Sequence, residues 1–173
     1  CAMGATGKSG RTPAATARRI EPRQHTMAAL IVAEPPAAYQ NRPSLVVDAS
    51  VLTAAVFAES NRDQALQWMR GRALHAPQLV DYELANAALN KLRRNQATAE
   101  AAAAALAAFS ALDIERRPTA LDGVFKLAAQ WGLTAYDAAY LWLAAEMKAP
   151  LATFDTRLGE AAKAHLGSLG SKT

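Results

Sequence analysis

Polar and apolar positions change character at Ser44. Residues 1–43 mix Gly, Ala, Thr, Pro and Arg without periodicity, the composition of a flexible arm that buries too little apolar surface to offset its chain entropy. From Ser44 on, short apolar runs alternate with longer stretches of helical periodicity. The run SLVVDAS, from Ser44 to Ser50, reads as a buried parallel strand that ends in Asp and Ser and feeds a helix. SVLTAAVFAES and NRDQALQWMRGR follow as two helices, and ALHAP as a second strand closed by Pro77. A helix is expected over 78–94, and another through the Ala-rich TAEAAAAALAAFSAL from Thr98, whose composition is that of a strong helix former. LDIERRP supplies a third strand, residues 119–131 a helix, TAYDAAYLWLAA (134–145) another, and APLATF a fourth strand, with a closing helix from Asp155. Short apolar strands alternating with helices predict an α/β fold, a parallel sheet covered on both faces. The folded unit is expected over 44–167, with the arm before it and a short tail over 168–173.

Composition narrows the chemistry. At 173 residues the chain suits one domain with a core large enough to stand without disulfides. Cys1 is its single cysteine, so thiolate zinc sites are excluded, and His25, His75 and His165 are too scattered for a histidine ligand set. The thiol count suits a reducing cytoplasm. The net charge of +4 belongs wholly to the arm, where Lys8, Arg11, Arg18, Arg19, Arg23 and Arg42 face Glu21 and Glu34; beyond it acids and bases balance. The basic excess is therefore no sign that the folded part binds nucleic acid. No stretch approaches the roughly 18 apolar residues of a membrane span. Within MAALIVAEPPAA the apolar run before Glu34 is too short for a convincing signal peptide. GATGKSG lacks the first glycine of a phosphate loop and any strand before it. Residues 1–26 read as an upstream segment, with Met27 a candidate start.

Ligands of parallel sheets bind at the carboxyl ends of the strands, and acids gather there. Strand one is followed by Asp48 and Ser50, and strand four by Thr153 and Asp155. Each aspartate alone reads as a helix N-cap; two at one sheet edge point further. Asp137 interrupts the apolar run TAYDAAYLWLAA, where an unpartnered charge would cost several kcal/mol. Thr134 three residues earlier gives it a capping-box reading, a spacing that Thr119 and Asp122 repeat. In QLVDYELANAALNKLRRN an apolar stripe of Val80, Leu84, Ala87, Ala88 and Leu92 is matched by a polar one of Glu83, Asn86, Asn90 and Arg93 or Arg94. Asp81 lies about 200° round the helix from Glu83 and cannot serve the same site equally. Four converging carboxylates with no thiolate favour a hard cation, Mg²⁺ or Mn²⁺, which takes oxygen ligands, polarises phosphate and lowers the pKa of bound water. Without a cation at least one of these acids should have a raised pKa.

At these residues the chain resembles the PIN-domain ribonucleases of the VapC toxin type, through LVVDAS, APQLVDYELANAALNKL, GLTAYDAAYLWLA and PLATFDTRL in the family's order and spacing. The resemblance spans about Ser44 to Leu166; the basic arm departs from it, since strand one of the family lies almost at the N-terminus. It implies a three-layer α/β/α sandwich with a short parallel sheet and a magnesium- or manganese-dependent endoribonuclease. Asp48, Glu83, Asp137 and Asp155 match the family's acidic metal site and Ser50 and Thr153 its supporting hydroxyls; Asn86, on the polar stripe with Glu83, is expected to support them. It further implies a homodimer, a cognate antitoxin and a cytoplasmic RNA substrate. Lys91, Arg93 and Arg94 are the side chains expected to meet an RNA backbone, the alternative being a solvated helix end favoured by the dipole. Two rivals stand beside this reading. A haloacid-dehalogenase-like phosphatase needs a second acid where Ser50 stands. A PIN-like binding module without turnover would use the acids as caps alone.

Overall fold

The computed structural model describes residues 42–170. The chain divides into Cys1–Glu34 and Pro35–Thr173, and the described residues belong to the second unit. GATGKSG, the MAALIVAEPPAA run and Met27 lie outside them. The elements in order are β1 (Ser44–Val47), α1 (Ala49–Val56), α2 (Arg62–Met69), β2 (Ala73–Pro77), α3 (Val80–Arg93), α4 (Ala99–Ser110), β3 (Ile114–Arg117), α5 (Leu121–Trp131), α6 (Ala135–Met147), β4 (Leu151–Ala152) and α7 (Thr156–Gly170). This is the α/β order the apolar periodicity predicts. The last helix runs on to Gly170, past residue 167, where the sequence pattern starts the tail.

The sheet is parallel throughout, in the order β3-β2-β1-β4. From β1 the chain steps outward to β2 and β3, then returns to lay β4 on the opposite side of β1. Such a reversal opens a crevice at the carboxyl ends of the two strands that flank it, here β1 and β4. Helices α1 to α4 pack among themselves on one side, α5 to α7 on the other, giving the three-layer α/β/α sandwich. β1 is central and apolar, with Leu45, Val46 and Val47 all buried.

β4 is shorter than its apolar run. APLATF reads as a strand, yet only Leu151 and Ala152 pair with β1, opposite Val46 and Val47. The reason lies in the next residue: Thr153 turns its hydroxyl to Asp48 at 2.9 Å and accepts the Asp155 N–H at 2.9 Å, which draws the backbone out of the sheet.

α6 contacts β1, β2 and β4. Ala138, Ala139, Tyr140, Leu141, Leu143 and Ala144 are all buried along it, so the helix is covered nearly all round and shows little amphipathicity. Its start is capped as the Thr134 spacing predicts, with Thr134 Oγ1 accepting the Asp137 N–H at 3.1 Å and donating to Asp137 Oδ2 at 2.7 Å. The matching Thr119 spacing forms no such cap: Ala120 holds that position without a side-chain bond, and Asp122 pairs with Lys126 at 3.7 Å. α3 buries Val80, Leu84 and Ala88 as its stripe predicts, whereas Leu92 at the far end is exposed. No described helix is long and apolar enough to cross a membrane.

Candidate metal centre

The crevice between β1 and β4 is built around Asp48. It is the N-cap of α1 and only 6% exposed. Three bonds converge on its Oδ2: from the Ser50 hydroxyl at 2.5 Å, the Ser50 N–H at 3.3 Å and the Thr153 hydroxyl at 2.9 Å. Burial raises its pKa, and these bonds oppose the rise without cancelling it. Ser50 Oγ also accepts the Phe154 N–H at 3.0 Å, which ties the α1 start to the turn after β4. Both hydroxyls thus lock one carboxylate in place.

Glu83 reaches the same region from the first turn of α3. Its Oε2 accepts the Tyr140 hydroxyl at 2.5 Å, the one hydrogen bond its side chain makes among the described residues. Its pKa is pushed up to about 7, first by burial and then by the charges of Asp48 and Asp137, with the Tyr140 bond pulling the other way. The expected raised carboxyl is therefore present, although desolvation exceeds mutual repulsion as its cause. Tyr140, fully buried, has its own pKa raised, mainly by burial and then by Glu83.

Tyr140 escapes the sequence pattern because it reads as another apolar position in α6. The available signal was chemical: a buried phenol needs a hydrogen-bond partner, and Tyr140 lies one turn from Asp137 on the same helix.

Asp137 is half-buried and held by Thr134. Asp155 is exposed and caps α7, accepting the Leu158 N–H at 2.7 Å; it joins Asp48 only through the Thr153 hydroxyl. The structure thus sets Asp48 and Asp137 in the field of Glu83 and links Asp155 to Asp48 by a hydrogen-bond relay.

None of the four acids is paired with a cationic side chain among the described residues. Asp81, turned away as its helical angle predicts, pairs with Arg116 at 3.1 Å. Among the described residues no three acids, histidines or cysteines are grouped tightly enough to hold one ion between them. The donor chemistry, all oxygen and unneutralised, fits a hard divalent cation; the spacing fits one that takes one or two carboxylates and keeps its waters, rather than a closed protein cage.

A cleft of about 570 Å³ opens beside Glu83, lined also by Ser50, Thr53, Asn86, Asn90, Tyr82 and Tyr136. The larger cleft, about 700 Å³, lies against Thr153, Phe154 and Asp155 and includes Trp68, which stacks on Phe154 at 5.4 Å. Asn86 takes its predicted place beside Glu83. Lys91 does not behave as a free phosphate ligand: its ammonium lies 2.5 Å from Glu59 and over the Phe57 ring, and its side chain is only 20% exposed. Arg93 and Arg94 remain exposed at the end of α3.

The description PIN domain belongs to the family model that matches residues 45–164. Ribonuclease VapC3 of Pyrobaculum aerophilum is 35% identical over 121 residues, which cover 67% of this chain and 92% of that protein. Ribonuclease VapC9 of Mycobacterium tuberculosis is 34% identical over 122 residues, 69% of this chain and 92% of its relative. The crystal structure of PAE2754 from Pyrobaculum aerophilum superposes with a TM-score of 0.56 at 28% identity, covering 75% of this chain and 90% of that one.

Proposed function

The chain belongs to the PIN-domain family, and from that premise we infer that it is a ribonuclease of the VapC type, an RNA-cutting toxin countered by a cognate antitoxin. PIN-domain ribonucleases depend in general on a divalent metal. Mg²⁺ or Mn²⁺ is the ion this donor set suits, with Asp48, Glu83, Asp137 and Asp155 as its candidate holders. Such an ion supplies a Lewis acid for the phosphate and lowers the pKa of the attacking water.

The chain's own residues do the rest. Ser50 and Thr153 fix the orientation of Asp48, Tyr140 that of Glu83 and Thr134 that of Asp137. Asn86 offers an amide beside Glu83, and Arg93 and Arg94 receive phosphates farther along α3. The observation that carries the reading is Glu83. A carboxyl whose pKa is pushed up to about 7, beside two other acids and without a cationic partner among the described residues, is a group that a ligand cation would stabilise.

The test is to incubate the purified protein with total RNA, with and without Mg²⁺ or Mn²⁺, and to map the cuts. Cleavage that needs the metal and stops with EDTA is the expected result, and Asp48→Asn should abolish it with the fold intact. Asp48→Asn protein that cuts as fast as wild type would refute the assignment. A homodimer is also proposed: Leu121 and Phe125, one turn apart on α5, are 83% and 73% exposed and offer apolar surface to a second copy. Light scattering at two concentrations decides it. The site of action follows as the cytoplasm, where the RNA is.

A further inference from the structure

Tyr82 is 76% exposed and Tyr136 is 63% exposed, and both line the cleft beside Glu83. Each directly precedes a candidate metal-holding acid, Tyr82 before Glu83 and Tyr136 before Asp137. One residue is a 100° rotation on a helix, so each ring stands beside the acid that follows it rather than in its place. Apart from Leu79 the rest of the cleft is small or polar, and two amides, Asn86 and Asn90, lie one turn apart along its wall. Past them the same helix ends in Arg93 and Arg94, about 16 Å from Tyr82 at 1.5 Å per residue.

We propose that Tyr82 and Tyr136 form a stacking platform that holds an unpaired base of the RNA substrate, with Asn86 and Asn90 facing the base edge and Arg93 and Arg94 receiving the backbone beyond it. The proposal rests on the ribonuclease reading above and specifies what that site selects. A ring can stack only on an open base face. A duplex covers both faces of each base, so the platform discriminates against paired RNA and accepts loops and single strands. Amides at the base edge add hydrogen-bonding choice, which aromatic faces alone do not supply.

The experiment compares wild type with Tyr82→Ala, Tyr136→Ala and the corresponding Phe variants in Mg²⁺. One readout is steady-state cleavage of a single-stranded oligoribonucleotide and of the same sequence in a duplex. The other is quenching of 2-aminopurine in the single strand, which reports stacking independently of cleavage. Each Ala variant should raise KM for the single strand by roughly 5- to 150-fold, the range for loss of one base stack, with less effect on kcat. Quenching should fall in parallel, and the Phe variants, which keep the ring, should restore both. Wild type that cuts RNA, with Ala variants matching it in KM and quenching, overturns the platform and leaves the ribonuclease reading standing. Wild type that quenches the probe but cuts no RNA removes the ribonuclease reading and, with it, the platform's role toward substrate.

Discussion

Replacing Glu83 by Gln separates what this carboxyl costs the fold from what it does for the reaction. In the folded chain it titrates at about 7 against 4.5 for an ordinary glutamate. Between those values the unfolded chain gives up the proton that the folded chain retains, so stability falls as pH rises through this interval, and the loss is complete above about pH 7. At 1.36 kcal/mol per pH unit the displacement corresponds to about 3 kcal/mol, and partial solvent access to Glu83 lowers it to about 1–3 kcal/mol. Glutamine keeps the shape and the acceptor for the Tyr140 hydroxyl but has no charge to desolvate. In EDTA, Glu83→Gln should therefore be about 1–3 kcal/mol more stable than wild type at pH 8 and within about 0.5 kcal/mol of it at pH 4.5. Denaturant titrations followed by tryptophan emission measure both, and titrating groups that do not interact with Glu83 cancel between variant and wild type. Added Mg²⁺ should stabilise wild type at pH 8 more than the variant, while the variant loses RNA cleavage. A gap of the same size at both pH values would refute the reasoning, because the penalty would then not be one of ionisation.

Three further outcomes follow from the same geometry. Tyr140→Phe removes the hydroxyl that donates to the Glu83 carboxyl; it should cost about 1 kcal/mol at pH 5 and about 2 kcal/mol at pH 8, where the lost bond is to an ion, and denaturant curves at the two pH values check it. Thr153→Val deletes a donor to Asp48 and the acceptor for the Asp155 N–H; a loss of about 1–3 kcal/mol and reduced kcat are expected, read by thermal melting and cleavage assays. Arg93→Ala should raise KM for RNA and flatten its salt dependence, whereas Lys91→Ala, which breaks a pair with Glu59, should cost no more than about 1 kcal/mol of stability and leave the salt slope alone.

Much of this was legible in the chain because strands and helices announce themselves by period. β1, α3 and α6 lie where their apolar positions put them, and Asp81 faces away from Glu83 as helical geometry requires. What escaped depends on partners distant in sequence. Lys91 and Arg93 look alike in a basic helix end, and only the fold brings Glu59 to one of them, 32 residues away. Tyr140 looks apolar until Glu83, 57 residues earlier, is set against it. β4 shortens because the hydroxyl of Thr153 answers to Asp48, 105 residues back. Thr119 and Thr134 share a spacing with an acid, yet only Thr134 caps its helix, since local pattern does not fix where a helix begins.

The opposition between cap and ligand, which the sequence raises for each aspartate, dissolves in the fold. Asp48 and Asp155 cap α1 and α7, and Asp137 and Glu83 stand in the first turns of α6 and α3. In a parallel sheet every strand feeds a helix whose start lies at the strand's carboxyl end, so the residues that cap helices and the residues that border the crevice are largely the same ones. Helix N-termini carry partial positive charge and free N–H groups, which make them good hosts for carboxylates. Asp48, Asp137 and Asp155 each draw on such a local donor, a backbone N–H or a capping hydroxyl. Among the described residues the Glu83 carboxyl has no donor but a phenol from another helix, and its pKa climbs to about 7. Three of the acids thus draw on donors at the helix starts that carry them, while Glu83, the most strongly shifted, leans on a phenol from another helix, and it is there that a cation would contribute most.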